Sequence, residues 1–294
     1  MGKSEYQDGC LKIGKWIELS DFFDDLTQVT YEGNYHNGKK INKWNINFRQ
    51  SLKKPFEQIG GGQYDEQGNE NKIGNWIELH DGFDNLTQVT YEGEYNNGKK
   101  VNRWNIYYEK NQIGGGSYAQ DGNKVGMWNE VSDDFRHSSQ IFLNGEYKNG
   151  KKIGIWNIYY QDSDANEKQK IGGGQYDEEG NENKIGKWFE LSEGFNRYSQ
   201  IIYNGEYKNN KKVNKWEIQM RDKMNENFEK IGEGSYDEGG TGFKIGEWKE
   251  FSDFPWKNKQ LISSGLYQNN RKVGIWIETD LKNKEHHRDI NYDN

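Results

Sequence analysis

The sequence predicts an all-β fold: an elongated, solenoid-like repeat of about ten antiparallel β-hairpins that form one twisted sheet. Three observations predict it. Tryptophan recurs on a fixed beat, at Trp16, Trp44, Trp76, Trp104, Trp128, Trp156, Trp188, Trp216, Trp248 and Trp276, with gaps that alternate between 28 and 32 residues and one gap of 24. The half-repeats share a skeleton, G-x-Y, a polar loop, then K-[IV]-[GN]-x-W. Glycine is abundant at 36 residues, proline nearly absent at 2, and aromatics make up 15% of a chain whose apolar share is only 31%. That composition belongs to many short strands and tight turns rather than to one large core.

A first half-repeat, as in IGGGQYDEEGNENKIGKWFEL at 171–191, alternates with a second, as in NGEYKNGKKIGIWNIYY at 144–160. Together they make five double units, near 1–54, 55–110, 111–166, 167–226 and 227–280, a continuous repeat domain over 1–280 followed by a polar tail at 281–294. Trp256 stands outside the series. The one short gap locates the loops: YYEKNQIGGG at 107–116 lacks six residues present in YYQDSDANEKQKIGGG at 159–174, and AQDGN at 119–123 is two shorter than DEEGNEN at 177–183. Deletions are tolerated where the backbone runs through solvent.

Each second half reads as a hairpin about a two-residue turn such as Asn149-Gly150. Pairing outward from that turn sets Tyr147 against Lys152 and Leu143 against Trp156. Around Asn209-Asn210 it sets Tyr207 against Lys212, Gly205 against Asn214, Tyr203 against Trp216 and Ile201 against Ile218. Both registers gather aromatic, aliphatic and glycine positions on one face. Glycine beside each tryptophan leaves bare backbone for a neighbouring ring. A lone hairpin is marginal in water, so each must be stabilised by the next. Burying one tryptophan contributes at most roughly 4–6 kcal/mol, and one per hairpin supplies much of the core.

The second halves resemble MORN repeats, whose pattern is Y-x-G-x-[YW]-x-x-G-x-x-x-G: Tyr91, Gly93, Tyr95 and Gly98 match it, as do Gly145, Tyr147, Gly150 and Gly154. The resemblance covers nearly the whole chain. It implies a twisted antiparallel sheet of successive hairpins, and roles in scaffolding, cytoskeletal or ciliary assemblies, dimerisation and membrane contact. The departures are a longer repeat and Asn42, Asn102 and Asn214 in place of the last glycine.

Composition excludes several function classes. The net charge of −7, with 40 basic and 47 acidic residues interspersed, argues against binding nucleic acid. Cys10 is the sole cysteine, so there is no internal disulfide framework or thiolate zinc site. No apolar run approaches the roughly 20 residues a membrane-spanning helix needs, and the first residues lack a secretory signal, so a cytoplasmic location is expected. Gly2 is not read as a myristoylation site, because Tyr6 stands where Ser or Thr is required.

No catalytic constellation recurs. The histidines, His36, His80, His137, His286 and His287, occupy no fixed repeat position, and His36 and His80 are expected on solvated turns. The carboxylate-rich loops at 65–71 and 177–183 lack the calcium-loop ladder and are expected to be solvated turns. IGGGQY and its copies lack the phosphate-cradling arrangement. No catalytic residue, metal or cofactor is therefore expected.

Paired cations follow each second-half turn: Lys39-Lys40, Lys99-Lys100, Lys151-Lys152, Lys211-Lys212 and Arg271-Lys272. They are either ordinary turn-flanking charges or a partner-binding stripe along the repeat. The reading that follows is a non-catalytic scaffold that binds a protein partner, in a cytoskeletal or ciliary setting. Two alternatives are a peripheral adaptor that sets the paired lysines against anionic lipid, and a binder that stacks ligands on exposed aromatics. The first half-repeat lacks the IGGG strand of later copies, so the terminal strand edges are candidates for self-association.

Overall fold

The computed structural model describes residues 5–7, 11–25, 27–165, 167–252 and 260–293; Gly2, Cys10 and Trp256 lie outside them. These residues form β-strands, turns and bends with no helix. The chain divides into two compact units, 1–151 and 152–294.

In the first unit, β1 (Glu5–Gln7), β2 (Leu11–Leu19), β3 (Gln28–His36), β4 (Lys39–Arg49), β5 (Glu57–Tyr64), β6 (Lys72–Leu79), β7 (Val89–Asn96), β8 (Lys99–Tyr108), β9 (Asn111–Tyr118), β10 (Lys124–Val131) and β11 (Gln140–Lys148) each pair antiparallel with the next. The second unit continues in the same way through β12 (Lys151–Gln161), β13 (Gln169–Tyr176), β14 (Lys184–Leu191), β15 (Gln200–Lys208), β16 (Lys211–Arg221), β17 (Glu229–Tyr236), β18 (Lys244–Phe251), β19 (Leu261–Gln268), β20 (Arg271–Asp280) and β21 (His286–Asn291). Within each unit, each strand lies beside its neighbour in sequence.

The predicted register holds only beside the turn. Tyr207 faces Lys212 as expected, but Tyr203 faces Ile218 rather than Trp216, and Ile201 faces Met220 rather than Ile218. The step from Asn204 to Glu206 is matched by the longer step from Glu217 to Val213, a bulge within the hairpin. Its cause is the [GN] position of the skeleton. Asn214 has φ of 58°, as Asn42 and Asn102 do at 58° and 59°, and Gly14, Gly74 and Gly186 occupy the equivalent place at 63–70°. Only glycine and asparagine adopt this left-handed conformation at little cost, which explains why the skeleton alternates between them.

The bulge turns each tryptophan onto a glycine. A Cβ built on Gly205 would lie 2.2 Å from the Trp216 ring, and one on Gly93 would lie 2.3 Å from the Trp104 ring. From Trp44 to Trp276 the nine later tryptophans of the series are 0–5% exposed.

The described acidic segments between half-repeats, after β2, β6, β10 and β14, are turns. In the segment after β6, Asp84 Oδ1 accepts the Leu86 and Thr87 amides, both at 2.7 Å, which folds the loop so that Phe83 lies edge-on to Phe48 at 5.2 Å. Phe135 and Phe195 do the same against Phe142 and Tyr160. Residues 286–291, expected to belong to a polar tail, are instead a strand. Arg288 Nε donates to Glu278 at 2.6 Å, and Glu278 is 2% exposed where earlier copies carry Ile46, Ile106 and Ile218. A carboxylate buried in an isoleucine position needs a cation, and β21 brings it.

Candidate functional site

The core of each unit is one continuous ladder of alternating rings. Trp16, Tyr35, Trp44, Tyr64, Trp76, Tyr95, Trp104, Tyr118, Trp128 and Tyr147 follow one another edge-to-face with centroids 5.0–6.3 Å apart. In the second unit Trp156, Tyr176, Trp188, Tyr207, Trp216, Tyr236, Trp248, Tyr267, Trp276 and Tyr292 do so at 5.0–6.4 Å. Edge-to-face contact sets the positive rim of one ring against the negative face of the next.

Above every tryptophan of the series stands the lysine four residues before it. Lys40, Lys100, Lys152, Lys212 and Lys272 place Nζ 4.3, 4.1, 4.4, 4.0 and 4.2 Å from the ring centroids of Trp44, Trp104, Trp156, Trp216 and Trp276. Lys12, Lys72, Lys124, Lys184 and Lys244 cap the first-half rings in the same manner, at 4.3–4.9 Å.

A glutamate ties these lysines together in every first half. Glu78 pairs with Lys72 and with Lys100 at 2.8 Å, and accepts the Tyr95 hydroxyl at 2.8 Å. Glu190 pairs with Lys184 and with Lys212 at 2.9 Å, and accepts the Tyr207 hydroxyl at 2.8 Å. Glu18 repeats the set with Lys12, Lys40 and Tyr35, and Glu250 with Lys244, Lys272 and Tyr267. Glu130 is held by Lys124 and Tyr147. Burial pushes the carboxyls of Glu78 and Glu190 upward, but the flanking lysine charges outweigh it and hold both below the usual range. Burial, with nearby glutamates, pushes the Tyr64, Tyr118 and Tyr176 hydroxyls up to about 12.

The predicted stripe therefore divides. Its second members, Lys40, Lys100, Lys152, Lys212 and Lys272, lie over the ladder, while Lys39, Lys99, Lys151, Lys211 and Arg271 are exposed at the turns. Lys39 reaches Glu70 at 3.0 Å. The glutamates were missed by sequence reasoning, although the signal was present: the residue two after tryptophan is Glu in each first half and Ile in most second halves.

Two further expectations are corrected. His80 is not a solvated turn residue: it is 6% exposed, stacks on Tyr91 at 6.1 Å, and its Nδ1 accepts the Gly82 amide at 2.9 Å. Asp65 and Asp177, which open the acidic loops, are buried and accept the amides of Asn69 and Asn71, and of Asn181 and Asn183, at 2.9–3.3 Å. Each closes its own loop by accepting two main-chain amides of that loop. No protein-family model matches the chain, and no curated protein matches it.

Proposed function

We propose that the chain is a divergent MORN-like repeat scaffold, non-catalytic, that binds a protein partner within a cytoskeletal or ciliary assembly of the cytoplasm. One observation carries this reading. The recurrent acids, bases and aromatics of the repeat contact one another in the ladder rather than converging on a cleft, and the cations they leave outside recur at equivalent turns. A repeated surface over a self-satisfied core suits an extended protein contact.

The ring-capping lysines also bear on the alternatives. They cover the faces that a stacked ligand would use, and they withdraw half of the paired cations from any anionic surface.

The test is detergent extraction of the source cell at low and high salt, with the wild type compared to a variant carrying Lys39→Glu, Lys99→Glu, Lys151→Glu, Lys211→Glu and Arg271→Glu. Retention of the wild type in the cytoskeletal pellet, with release of the variant, supports the scaffold reading. Release of the wild type by detergent alone supports the membrane adaptor and rejects the scaffold.

A further inference from the structure

Both units contain the same three-residue arrangement, Gln28, Arg49 and Phe56 in the first and Gln200, Arg221 and Phe228 in the second. In each, the arginine Nε donates to the glutamine Oε1, and the guanidinium lies against the phenylalanine ring, at 4.6 Å for Arg49 and 4.4 Å for Arg221. Beyond that the two differ. Arg221 is 4% exposed, and its Nη1 donates to Gln169 Oε1 at 2.6 Å and to the Met224 carbonyl at 2.8 Å, with the Glu226 carbonyl at 3.4 Å. Its own loop, 222–228, folds over the guanidinium and supplies main-chain oxygens.

Arg49 has the first two partners and none of the others: among the described residues, its Nη1 and Nη2 meet no acceptor. Its loop, with Lys54 and Pro55, instead forms one wall of an open groove of about 700 Å³. Phe48, Ile59, Ile77 and Phe83 give that groove an apolar lining. Its other wall includes Tyr107 and the turn Glu109-Lys110, where φ is 47° and 69° at positions that other hairpins fill with asparagine or glycine. Strained backbone of this kind persists where surrounding structure holds it, often at binding sites. The rim balances Arg49, Lys54 and Lys110 against Glu57, Glu92 and Glu109, with no ion pair among them. A charge-balanced, half-apolar groove suits a peptide rather than an anionic surface.

We propose that this groove is the docking site for a short extended segment of a partner protein. The segment sets a main-chain carbonyl on Arg49, as Met224 and Glu226 do on Arg221, and an apolar side chain against Phe48, Ile59, Ile77 and Phe83. The proposal rests on the protein-binding reading above and names one contact within it.

Random octapeptides displayed on phage are panned against the whole chain, and the most enriched peptide is synthesised and titrated by calorimetry. Arg49→Gln is expected to weaken binding about tenfold or more, as for loss of a hydrogen bond to a charged group. Gln58→Trp, which narrows the groove without altering Arg49, is expected to abolish binding, and Glu179→Gln, on an exposed loop, to leave it unchanged. Near-UV circular dichroism checks that each variant keeps the ring ladder. Absence of any enriched peptide overturns the proposal, as does equal binding to wild type and both groove variants, or Arg49-dependent binding of phosphatidylserine vesicles alone. Failure here with pellet retention intact rejects only the groove, whereas peptide binding without pellet retention rejects only the assembly.

Discussion

Lys212 joins two parts of the repeat at once: its ammonium lies 4.0 Å from the Trp216 ring centroid and 2.9 Å from the Glu190 carboxylate. The ring accepts the charge through its quadrupole, and the carboxylate neutralises it where water is partly excluded. The hairpin that holds Glu190 is thereby tied to the one that holds Trp216.

Replacing that carboxylate by an amide removes the negative charge shared by Lys184 and Lys212 and leaves one acceptor oxygen where two served the lysines and the Tyr207 hydroxyl. Glu190→Gln is expected to lower stability by about 1–3 kcal/mol, discounted for partial exposure of the lysines. Glu179→Gln, on an exposed loop, is expected to have no measurable effect. Urea unfolding followed by tryptophan fluorescence compares the two.

The glycines beneath the rings are a steric requirement. Gly205→Ala would place a methyl 2.2 Å from the Trp216 ring, so the ring or the strand must shift, at a cost of roughly 1–3 kcal/mol. Gly239→Ala, whose nearest neighbour is an Asp237 carboxylate oxygen at 3.1 Å, is expected to be nearly neutral. A change in near-UV circular dichroism confined to the first variant would mark displacement of the ring.

The ladder should be lost at both ends of the pH scale. The Glu78 and Glu190 carboxyls titrate below 4.5 in the folded chain, so their stabilisation is present above that value and falls away as pH drops through the lowered folded value. The Tyr64, Tyr118 and Tyr176 hydroxyls rise from 10.0 to about 12, so their contribution is complete below 10 and is lost between 10 and about 12. Thermal melts across pH 3 to 12 should give a plateau flanked by these two declines.

The closing strand offers a rescue experiment. Arg288→Ala is expected to destabilise the last hairpin, because Glu278 stays buried without its cation. Adding Glu278→Ile, which restores the residue of the other second halves, should remove most of that cost. Equal destabilisation in the single and double variants would show that Arg288 acts elsewhere.

Much of this fold was legible in the chain. The tryptophan beat, the turn residues and the K-[IV]-[GN]-x-W skeleton are local signals, and each produced a strand, a turn or a bulge where it stands. Even the exchange of Asn214 for glycine was written locally, since the backbone there has φ of 58°. The register beyond the bulge was less legible, because a left-handed residue inside a strand alters how its neighbours pair without changing the hydrophobic pattern.

By itself the sequence determined an all-β chain of repeated hairpins, since strand periodicity, turn chemistry and glycine spacing act over a few residues. Only the tertiary structure decided what the charged groups do. Lys39 and Lys40 are adjacent and chemically identical, yet one lies at an exposed turn and the other caps Trp44 and pairs with Glu18. A lysine can lay its stem along apolar surface and send its ammonium either way. Which way it goes depends on a carboxylate and a ring brought in by other strands, more distant in sequence than any local pattern reaches.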